Sequence, residues 1–391
     1  MKGSNLKHSH RHNIEVVVDT VRLHGAVSRT EISEMTGLTA QTISNIIDKL
    51  VERGVMRTIG RRSGQRGQPA IEVGLNPEGG YGIGVHLDRE HWTVAVLDLS
   101  GRCLQIASFD WDMPDPVRAL PLIEAGIAQI VAQAGLDMQQ VWGVGVALPG
   151  PLDMSTGSVM NPPWLVTWDG FPLRDWLNER LGVPVYLETD ATAAAQGECW
   201  FGHGRGIDDF FYIYFGIGLG GGMVVHGRPY RGGLGNAAMF GHISVDPGGP
   251  RCPCGGRGCL ELYVSISSLM RALSVKSPAD LSEINDLLSL QDPALLHWLN
   301  VAADKLTTGL VTLEHLISPT AIIFGGQMDP VLRRHLASTV AQLLPERRMQ
   351  ALKRHPTLIQ SSILESAAAV GAATLPLFGQ FSQAAQYEAA I

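Results

Sequence analysis

The most informative stretch is GHISVDPGGPRCPCGGRGCLE, residues 241–261, which gathers one histidine and three of the five cysteines among glycines and prolines. His242, Cys252, Cys254 and Cys259 supply one imidazole and three thiolates, a complete tetrahedral ligand set for zinc. The intervening glycines let the backbone wrap closely around an ion. Because a catalytic zinc keeps one position open, four protein ligands predict a structural zinc site.

The two other cysteines, Cys103 and Cys199, stand alone in the sequence. An odd number of cysteines, three of them clustered, argues against the disulfide framework of a secreted protein. Redox sensing by the clustered thiols is the alternative to metal binding. The N-terminus lacks an apolar signal segment, and no stretch approaches the roughly 18 apolar residues of a membrane span. We therefore expect a cytoplasmic protein with no membrane partner.

Charge is distributed unevenly along the 391 residues. Residues 1–72 contain 11 Lys and Arg against 7 Asp and Glu, a balance of +4. Since the whole chain carries −7, the remainder carries −11. A basic head on an acidic body suggests that the head meets an anionic partner.

The head has the pattern of three helices followed by a hairpin. Apolar residues at helical spacing predict a first helix from His12 to Gly25. Ser28-Arg29-Thr30-Glu31 forms a capping box that opens a short helix through Met35. Gly37 makes a turn, and Thr39 caps a third helix over 40–53. Strands at 55–59 and 70–75 complete the predicted unit.

The third helix and the hairpin carry the candidate DNA contacts. Isoleucines and Leu50 would bury one helix face, which leaves short polar side chains outside at the helix N-terminus, as in a recognition helix of the major groove. Between the strands lies a basic, glycine-rich loop. Together these features predict a winged helix-turn-helix, and the alternative is a small interaction module whose arginines are merely solvated. The candidate residues are Gln41, Thr42, Ser44, Asn45, Arg61, Arg62, Arg66 and Gln68.

The body reads as a duplicated α/β architecture. Three strand-like runs at 81–88, 91–99 and 102–111 predict an antiparallel meander, and a similar hairpin begins again at 211–227. Each is followed by helix and strand units, such as AIIFGG at 321–326. Two such halves predict two lobes with a cleft that binds a small molecule.

Taken together, these motifs resemble the ROK family of sugar repressors and sugar kinases over nearly the entire chain. The resemblance rests on the winged helix, ETDATAA (188–194), GIGLGGG (216–222), the Gly241-His242 pair and CPCGGRGCLE (252–261). It implies an α/β fold with an N-terminal winged helix-turn-helix (1–79) and a two-lobed actin-like, ribonuclease-H-like sugar kinase ATPase fold. The first lobe would span 80–190, completed by a C-terminal helix within 364–391, and the second would span 191–363.

The resemblance also implies sugar contacts at Gly150, Asn161, Asp190, His242 and Glu261. His242 and Glu261 would then join the metal site to the sugar cleft. Two positions depart from the family pattern, because Thr189 stands where asparagine usually precedes the aspartate and Met239 replaces a glutamate. Either the effector differs from the common hexoses, or the pocket no longer senses a sugar. Trp164 and Trp168, whose aromatic faces suit pyranose rings, favour the first explanation.

The phosphate side departs further from the kinases. They carry Asp-x-Gly-Gly-Thr at the first hairpin turn, whereas this chain reads His86-Leu87-Asp88-Arg89-Glu90. Two carboxylates thus stand where phosphate would come, and Ile217 replaces the threonine that is usual in the second glycine loop. The wing departs as well, since Gln68 fills the place of an arginine that the family inserts into the minor groove.

The sequence therefore predicts a non-enzymatic transcriptional regulator, a repressor that binds operator DNA and a carbohydrate effector. We expect a homodimer or a dimer of dimers, because one recognition helix covers only a half-site. A sugar kinase with an appended DNA-binding domain is the alternative, as is a regulator controlled by a protein partner.

Overall fold

The computed structural model of the chain describes residues 6–62, 70–111, 115–160, 162, 166–281, 283–363, 366–379 and 381. It shows a head followed by two lobes, and each lobe is built on a five-stranded sheet. The side chains of residues 6–9, 62 and 378 are not described.

The head has the three helices and the hairpin that the sequence predicts. The Ser28–Glu31 capping box is present, Gly37 is left-handed with φ 70°, and Thr39 accepts a hydrogen bond from the Thr42 amide. Ile43, Ile46, Ile47 and Leu50 are all buried. The first helix begins earlier than predicted, at Leu6. The elements are α1 (Leu6–His24), β1 (Val27–Ser28), α2 (Arg29–Thr36), α3 (Ala40–Glu52), β2 (Met56–Arg62) and β3 (Ala70–Leu75).

The first lobe contains the predicted meander and two parallel strands. Its sheet has the order β10-β7-β4-β5-β6, with β7 parallel to β4 and β10 parallel to β7. A two-stranded ribbon, β8 and β9, follows β7. The elements are β4 (Tyr81–Leu87), β5 (His91–Asp98), β6 (Cys103–Asp110), α4 (Pro116–Gln133), β7 (Val141–Leu148), β8 (Leu152–Asp153), β9 (Ser158–Val159), α5 (Leu173–Leu181) and β10 (Val185–Thr189).

The second lobe repeats this topology, which confirms the duplicated architecture. Its sheet order, β13-β12-β11-β14-β15, again places a hairpin beside two parallel strands. Leu306, Leu310 and Leu313 of α10 lie in the core. The elements are α6 (Asp190–Phe201), β11 (Phe210–Phe215), β12 (Leu219–Val225), β13 (Arg228–Pro229), α7 (Glu261–Val264), α8 (Ile266–Leu273), α9 (Ile284–Ser289), α10 (Pro293–Ile317), β14 (Ala321–Gly326), α11 (Pro330–Arg347), β15 (Thr357–Gln360) and α12 (Ala367–Gly379).

The last helix, α12, packs on β4 and β7 of the first lobe and on α6. A side chain at Gly82 or Gly84 of β4 would collide with backbone carbonyls of α12, and one at Gly371 would collide with the Ala193 carbonyl of α6. The small residues thus let α12 lie directly between the first sheet and α6. This contact brings α12 to the junction of the lobes.

Candidate functional site

A pocket of about 120 Å³ lies where the two lobes meet. Four of the five residues predicted as sugar contacts line it: Gly150, Asp190, His242 and Glu261. They are brought together from separate parts of the chain, namely the segment after β7, the start of α6, the loop before the cysteine segment, and the start of α7. Asn161 lies outside the described residues. Thr189 and Met239, the two departures from the family pattern, also line the pocket.

Asp190 is the first residue of α6, and Thr189 is the N-cap whose hydroxyl accepts from the Thr192 amide. Asp190 Oδ1 accepts a hydrogen bond of 2.7 Å from the Ala191 amide. Burial raises the pKa of Asp190 to about 7, and the negative charge of Asp88 acts in the same direction. A carboxyl group with a pKa near neutrality can accept a hydrogen bond from a ligand hydroxyl when ionised and donate one when protonated.

The glycine turn between β11 and β12 forms part of the pocket wall beside Asp190. At Gly218 a Cβ would lie 3.0 Å from Glu261 Oε2, and at Gly220 it would lie 2.8 Å from the Ala191 Cβ. The turn can approach both groups only because these positions lack side chains. The run GIGLGGG therefore has a packing reason in this pocket.

The predicted metal ligands lie together beside the pocket. One ligand atom from each of His242, Cys252, Cys254 and Cys259 falls within 4.8 Å of the others. Cys254 Sγ and Cys259 Sγ are 3.7 Å apart, and Cys252 Sγ is 3.8 Å from His242 Nδ1. In a tetrahedral site with Zn–S bonds of about 2.3 Å, neighbouring sulfurs are about 3.8 Å apart. The donor set and its spacing therefore fit a tetrahedral metal ion.

His242 and Glu261 belong to both the cluster and the pocket. His242 Nδ1 faces Cys252 and lies 3.6 Å from Glu261 Oε1, while Cys252 Sγ donates to the same carboxylate oxygen at 3.3 Å. Both residues also line the pocket. Burial raises the pKa of the Cys252 and Cys259 thiols, so a metal that binds there must displace their protons.

The turn between β4 and β5 is acidic and internally bonded. Asp88 accepts from the Arg89 amide through Oδ1 and from Gln327 Nε2 through Oδ2, each at 2.6 Å. Asp88, Arg89 and Gln327 also line the pocket. A phosphate placed here would meet the Asp88 carboxylate, which repels it.

The candidate DNA contacts form an exposed surface on the head. Gln41 and Asn45 are exposed at the start of α3 and hydrogen-bond to each other at 3.0 Å, while Thr42 and Ser44 are half-buried. Arg61 is exposed on β2. The Arg62 side chain and the whole of Arg66 and Gln68 lie outside the described residues.

Several residues at these sites were missed by sequence reasoning. Asn236 connects the two lobes beside the pocket. Its side chain accepts a hydrogen bond from the Leu152 amide at 2.9 Å and donates one to the Leu152 carbonyl at 2.8 Å. Arg57 is also exposed on β2, but the bulge between Thr58 and Gly60 places it on the opposite strand face from Arg61, since Arg57 pairs with Gly74 and Arg61 with Ile71. The charged side chain of Arg57 could have been recognised in the sequence as a candidate contact. Nothing in the sequence around Asn236 marks that residue as a contact between the lobes.

Trp168 corrects one expectation. It is buried in the core of the first lobe beside Phe171 and does not line the pocket, so its ring offers no face to a sugar. The indole packs inward because the short helical turn at 166–168 presents it to α5 and the sheet. Trp164 lies outside the described residues.

The fold and the site define a two-lobed, actin-like α/β protein that carries a helix-turn-helix head. Residues 82–377 match the ROK family, and the chain belongs to that family. It is 27% identical to the xylose repressor of Bacillus subtilis over 93% of this chain and 94% of the repressor. It is also 30% identical to the glucokinase of Thermotoga maritima, over 75% of this chain and 96% of the kinase.

A solved structure described as a ROK family transcriptional regulator, a homologue of the Escherichia coli Mlc protein, has the same fold. The TM-score is 0.76 at 24% identity, covering 95% of this chain and 97% of that one. Among the residues that the structure describes, no helix has the length and apolar character needed to cross a bilayer.

Proposed function

We propose that the protein is a DNA-binding transcriptional repressor whose ROK domain binds a sugar effector that changes its affinity for operator DNA. The observation that carries the proposal is the extent of the similarity. The match to the xylose repressor covers 93% of this chain, so it must include most of the head, whereas the match to the glucokinase covers 75%. The head is thus shared with a repressor.

The head would read DNA with the N-terminal end of α3. Gln41 and Asn45 are exposed and would exchange their mutual hydrogen bond for bonds to base edges, and exposed arginines of β2 would contact phosphates. A two-fold operator needs two such heads, so the active species would be a homodimer or a dimer of dimers.

The pocket would hold the sugar between the lobes. Asp190, Glu261 and His242 provide groups that hydrogen-bond to hydroxyls, with Gly150 and Asn161 completing the set. His242, Cys252, Cys254 and Cys259 would hold a structural zinc ion, which supplies folding free energy and orders this wall of the pocket. Because His242 turns Nδ1 to the cluster, its Nε2 is left for the ligand.

Helix α6 offers a direct connection from the pocket to the head. Asp190 begins the helix in the pocket, and its other end, about 18 Å away at 1.5 Å per residue, contacts α1 of the head. There the Arg22 guanidinium lies 4.7 Å over the Trp200 ring and donates to the Cys199 carbonyl at 3.3 Å. Movement of α6 on sugar binding would therefore displace α1.

Two further contacts hold the head to the second lobe. Arg228 Nη2 lies 2.7 Å from Glu15 Oε1, and the Glu15 side chain is only 2% exposed. Arg205 donates to the Arg22 and Leu23 carbonyls at the end of α1. These contacts make the head and the second lobe a bonded unit, which a lobe movement could reorient with a coupling free energy of roughly 1–3 kcal/mol.

The protein would not be a kinase, although a glucokinase is among its relatives. A kinase holds the transferred phosphate with amides, cations and metal ions. Here the corresponding hairpin turn presents Asp88 and Glu90, and the first of these is already bonded to Gln327. An assay for ADP release with a sugar panel is expected to give no turnover.

Fluorescence anisotropy tests the proposal. The zinc-replete protein is titrated on DNA from upstream of its own gene and of neighbouring transport genes, with and without a panel of monosaccharides and sugar alcohols. We expect specific binding that one compound shifts by about fivefold or more. Specific binding that no compound shifts would reject the sugar effector and turn the search to protein partners, and absence of DNA binding would reject the repressor.

A further inference from the structure

A second and larger cavity, of about 600 Å³, lies between the lobes next to the sugar pocket. One side is the polar face of β4, β5 and β6, and the other is formed by apolar residues of α8, α9 and α11. Its volume lies within the range of about 300–1,000 Å³ that is typical of small-molecule sites. The proposed function assigns no role to it.

The sheet side of the cavity is a row of three paired polar residues. His86 pairs with Thr93 and Thr93 pairs with Ser108, so the three side chains point to the same face. The Thr93 and Ser108 hydroxyls are 2.9 Å apart. His86 is only 2% exposed, and its Nε2 has no hydrogen-bond partner among the described residues. A buried polar nitrogen without a partner in the protein is available for a hydrogen bond from a bound molecule.

The charge of the cavity is negative. Asp88, Glu90 and Asp329 line it, and among the described residues no lysine or arginine does. Asp329 is engaged by two amides at the start of α11, and Asp88 by the Arg89 amide and Gln327, so Glu90 supplies the most available charge. Among the described residues, the Glu90 carboxylate accepts one long hydrogen bond, 3.4 Å, from the Ser277 hydroxyl. The start of α12 also faces the cavity, but its dipole is equivalent to only about half a positive charge.

A metal ion does not suit this arrangement. In the described part of the chain, the His242 cluster is the set of three or more potential ligands that lie close enough together to share one ion. The carboxylates and histidines of the cavity are too dispersed for that. The opposite wall is aliphatic, with Ile266, Leu269 and Leu281 among its residues.

We propose that this cavity binds a small organic cation with an apolar body, an amine whose ammonium group lies between Glu90, Asp88 and His86 and whose apolar part packs on α8. Burial lowers the pKa of His86 to about 4, so its ring is neutral at pH 7 and can accept a hydrogen bond from an ammonium group. Asp88, Tyr214, Ile217 and Gln327 line both this cavity and the sugar pocket. An amine bound here would therefore alter the wall of the sugar pocket.

Isothermal titration calorimetry at pH 7.5, without DNA or sugar, tests the site independently of the repressor proposal. Three probes, phenethylamine, phenethyl alcohol and phenylacetate, share an apolar body and differ in charge. Mg-ATP is a fourth probe, which tests whether the cavity binds a nucleotide. We expect phenethylamine to bind at least about tenfold more tightly than the alcohol, and phenylacetate and Mg-ATP to bind most weakly.

The variant Glu90→Gln keeps the shape of the side chain and removes its charge. It should weaken phenethylamine binding about tenfold or more and leave the alcohol unaffected. Glu346→Gln, the same change at an exposed position of α11, should bind like the wild type, and equal melting temperatures would show that both variants fold. No amine binding at millimolar concentration, tighter binding of the alcohol or an anion, or full binding by Glu90→Gln would each overturn the proposal.

Discussion

At the scale of single residues, Asp190 owes its chemistry to the place where α6 begins. Asp153 is also an aspartate, but its environment shifts the pKa in the opposite direction. Hydrogen bonds from Ser155 and Thr156 lower the pKa of that exposed carboxyl to about 2. Asp190 is instead desolvated beside Asp88. The pair shows that burial, rather than residue type, prepares this carboxyl group for ligand binding.

The raised pKa of Asp190 predicts a pH-dependent loss of stability. The folded protein holds this proton more tightly than the unfolded chain, so the stabilisation is fully present below about pH 4 and is lost as the pH rises through about 7. Asp190→Asn should therefore raise the free energy of unfolding at pH 8 by roughly 1–3 kcal/mol, with a clearly smaller gain at pH 5. Urea unfolding at both pH values measures this.

The control is Asp153→Asn, the same substitution at a carboxylate with a lowered pKa, which should bring no gain at either pH. Asp190→Asn should also abolish any effect of sugar on DNA affinity. An equal gain at pH 5 and pH 8 would show that charge desolvation is not the cause.

Cys254 and Cys259 are expected to link metal content to ligand response. Cys254→Ala removes one of four ligands, and structural zinc can contribute on the order of 10 kcal/mol of folding free energy. We expect one bound metal ion per chain to be lost, together with the response to sugar, as measured by elemental analysis and anisotropy. Cys103→Ala, an exposed cysteine outside the cluster, should keep both. A zinc-free variant that still responds to sugar would contradict the prediction.

At the scale of secondary-structure elements, α12 and α6 are joined by unusually close backbone contact. Gly371 of α12 lies against the Ala193 carbonyl, and a Cβ at Gly197 of α6 would be 3.2 Å from Gly371 Cα. Small residues make this contact possible, and they also leave it intolerant of added volume.

Gly371→Ala should destabilise the protein even though alanine favours helices. The gain in helix propensity is about 1 kcal/mol, but the added methyl group would collide with backbone that cannot move aside. We expect the free energy of unfolding to fall by about 1–3 kcal/mol in urea. Gly60→Ala, at a position with open space, should have a small effect. An unchanged or raised stability for Gly371→Ala would refute the close packing.

Arg22→Met tests the connection between α6 and the head. The substitution removes the cation over Trp200 while it keeps an apolar side chain. We expect near-normal DNA binding without sugar and a sugar response that is reduced roughly fivefold, about 1 kcal/mol of coupling. Arg180 also stacks on a tryptophan, at 5.3 Å from the Trp176 ring, but lies in the first lobe. Arg180→Met should therefore respond fully, and a full response by Arg22→Met would exclude this route.

At the scale of the whole molecule, the basic head and the acidic body have opposite electrostatic effects on DNA. The head attracts DNA, and the negative charge of the body keeps the lobes away from it. A dimer would double the number of phosphate contacts, and affinity would then depend steeply on salt.

Salt dependence is the corresponding prediction. Between 50 and 200 mM salt we expect DNA affinity to fall roughly a hundredfold or more, because each phosphate contact releases a counterion. Arg61→Ala should make the slope of log affinity against log salt shallower by about one unit per head. Arg334→Ala, an exposed arginine of α11 outside the head, should leave the slope unchanged. A flat salt response would reject the phosphate contacts.

Much of the fold could be predicted because its signals are local. The capping box at Ser28 and Glu31, the left-handed Gly37 and the alternating strands all depend on neighbours a few residues away. The duplicated order of strands followed from the repeated hairpin pattern. Helix ends were less accurate, as at α1, which begins at Leu6 where the prediction began at His12, because helix boundaries are weakly encoded in local sequence.

The sequence by itself determined the caps, the strand pattern and the clustered thiols, since each is encoded within a short segment. The tertiary structure alone decided that Asn236 would bond to Leu152, 84 residues away, and that Trp168 would turn into the core. It also decided the raised pKa of Asp190 and the burial of His86 Nε2, which has no hydrogen-bond partner in the described part of the chain. The physical reason is that burial and hydrogen-bond partners are properties of the assembled surroundings, which segments distant in the chain supply.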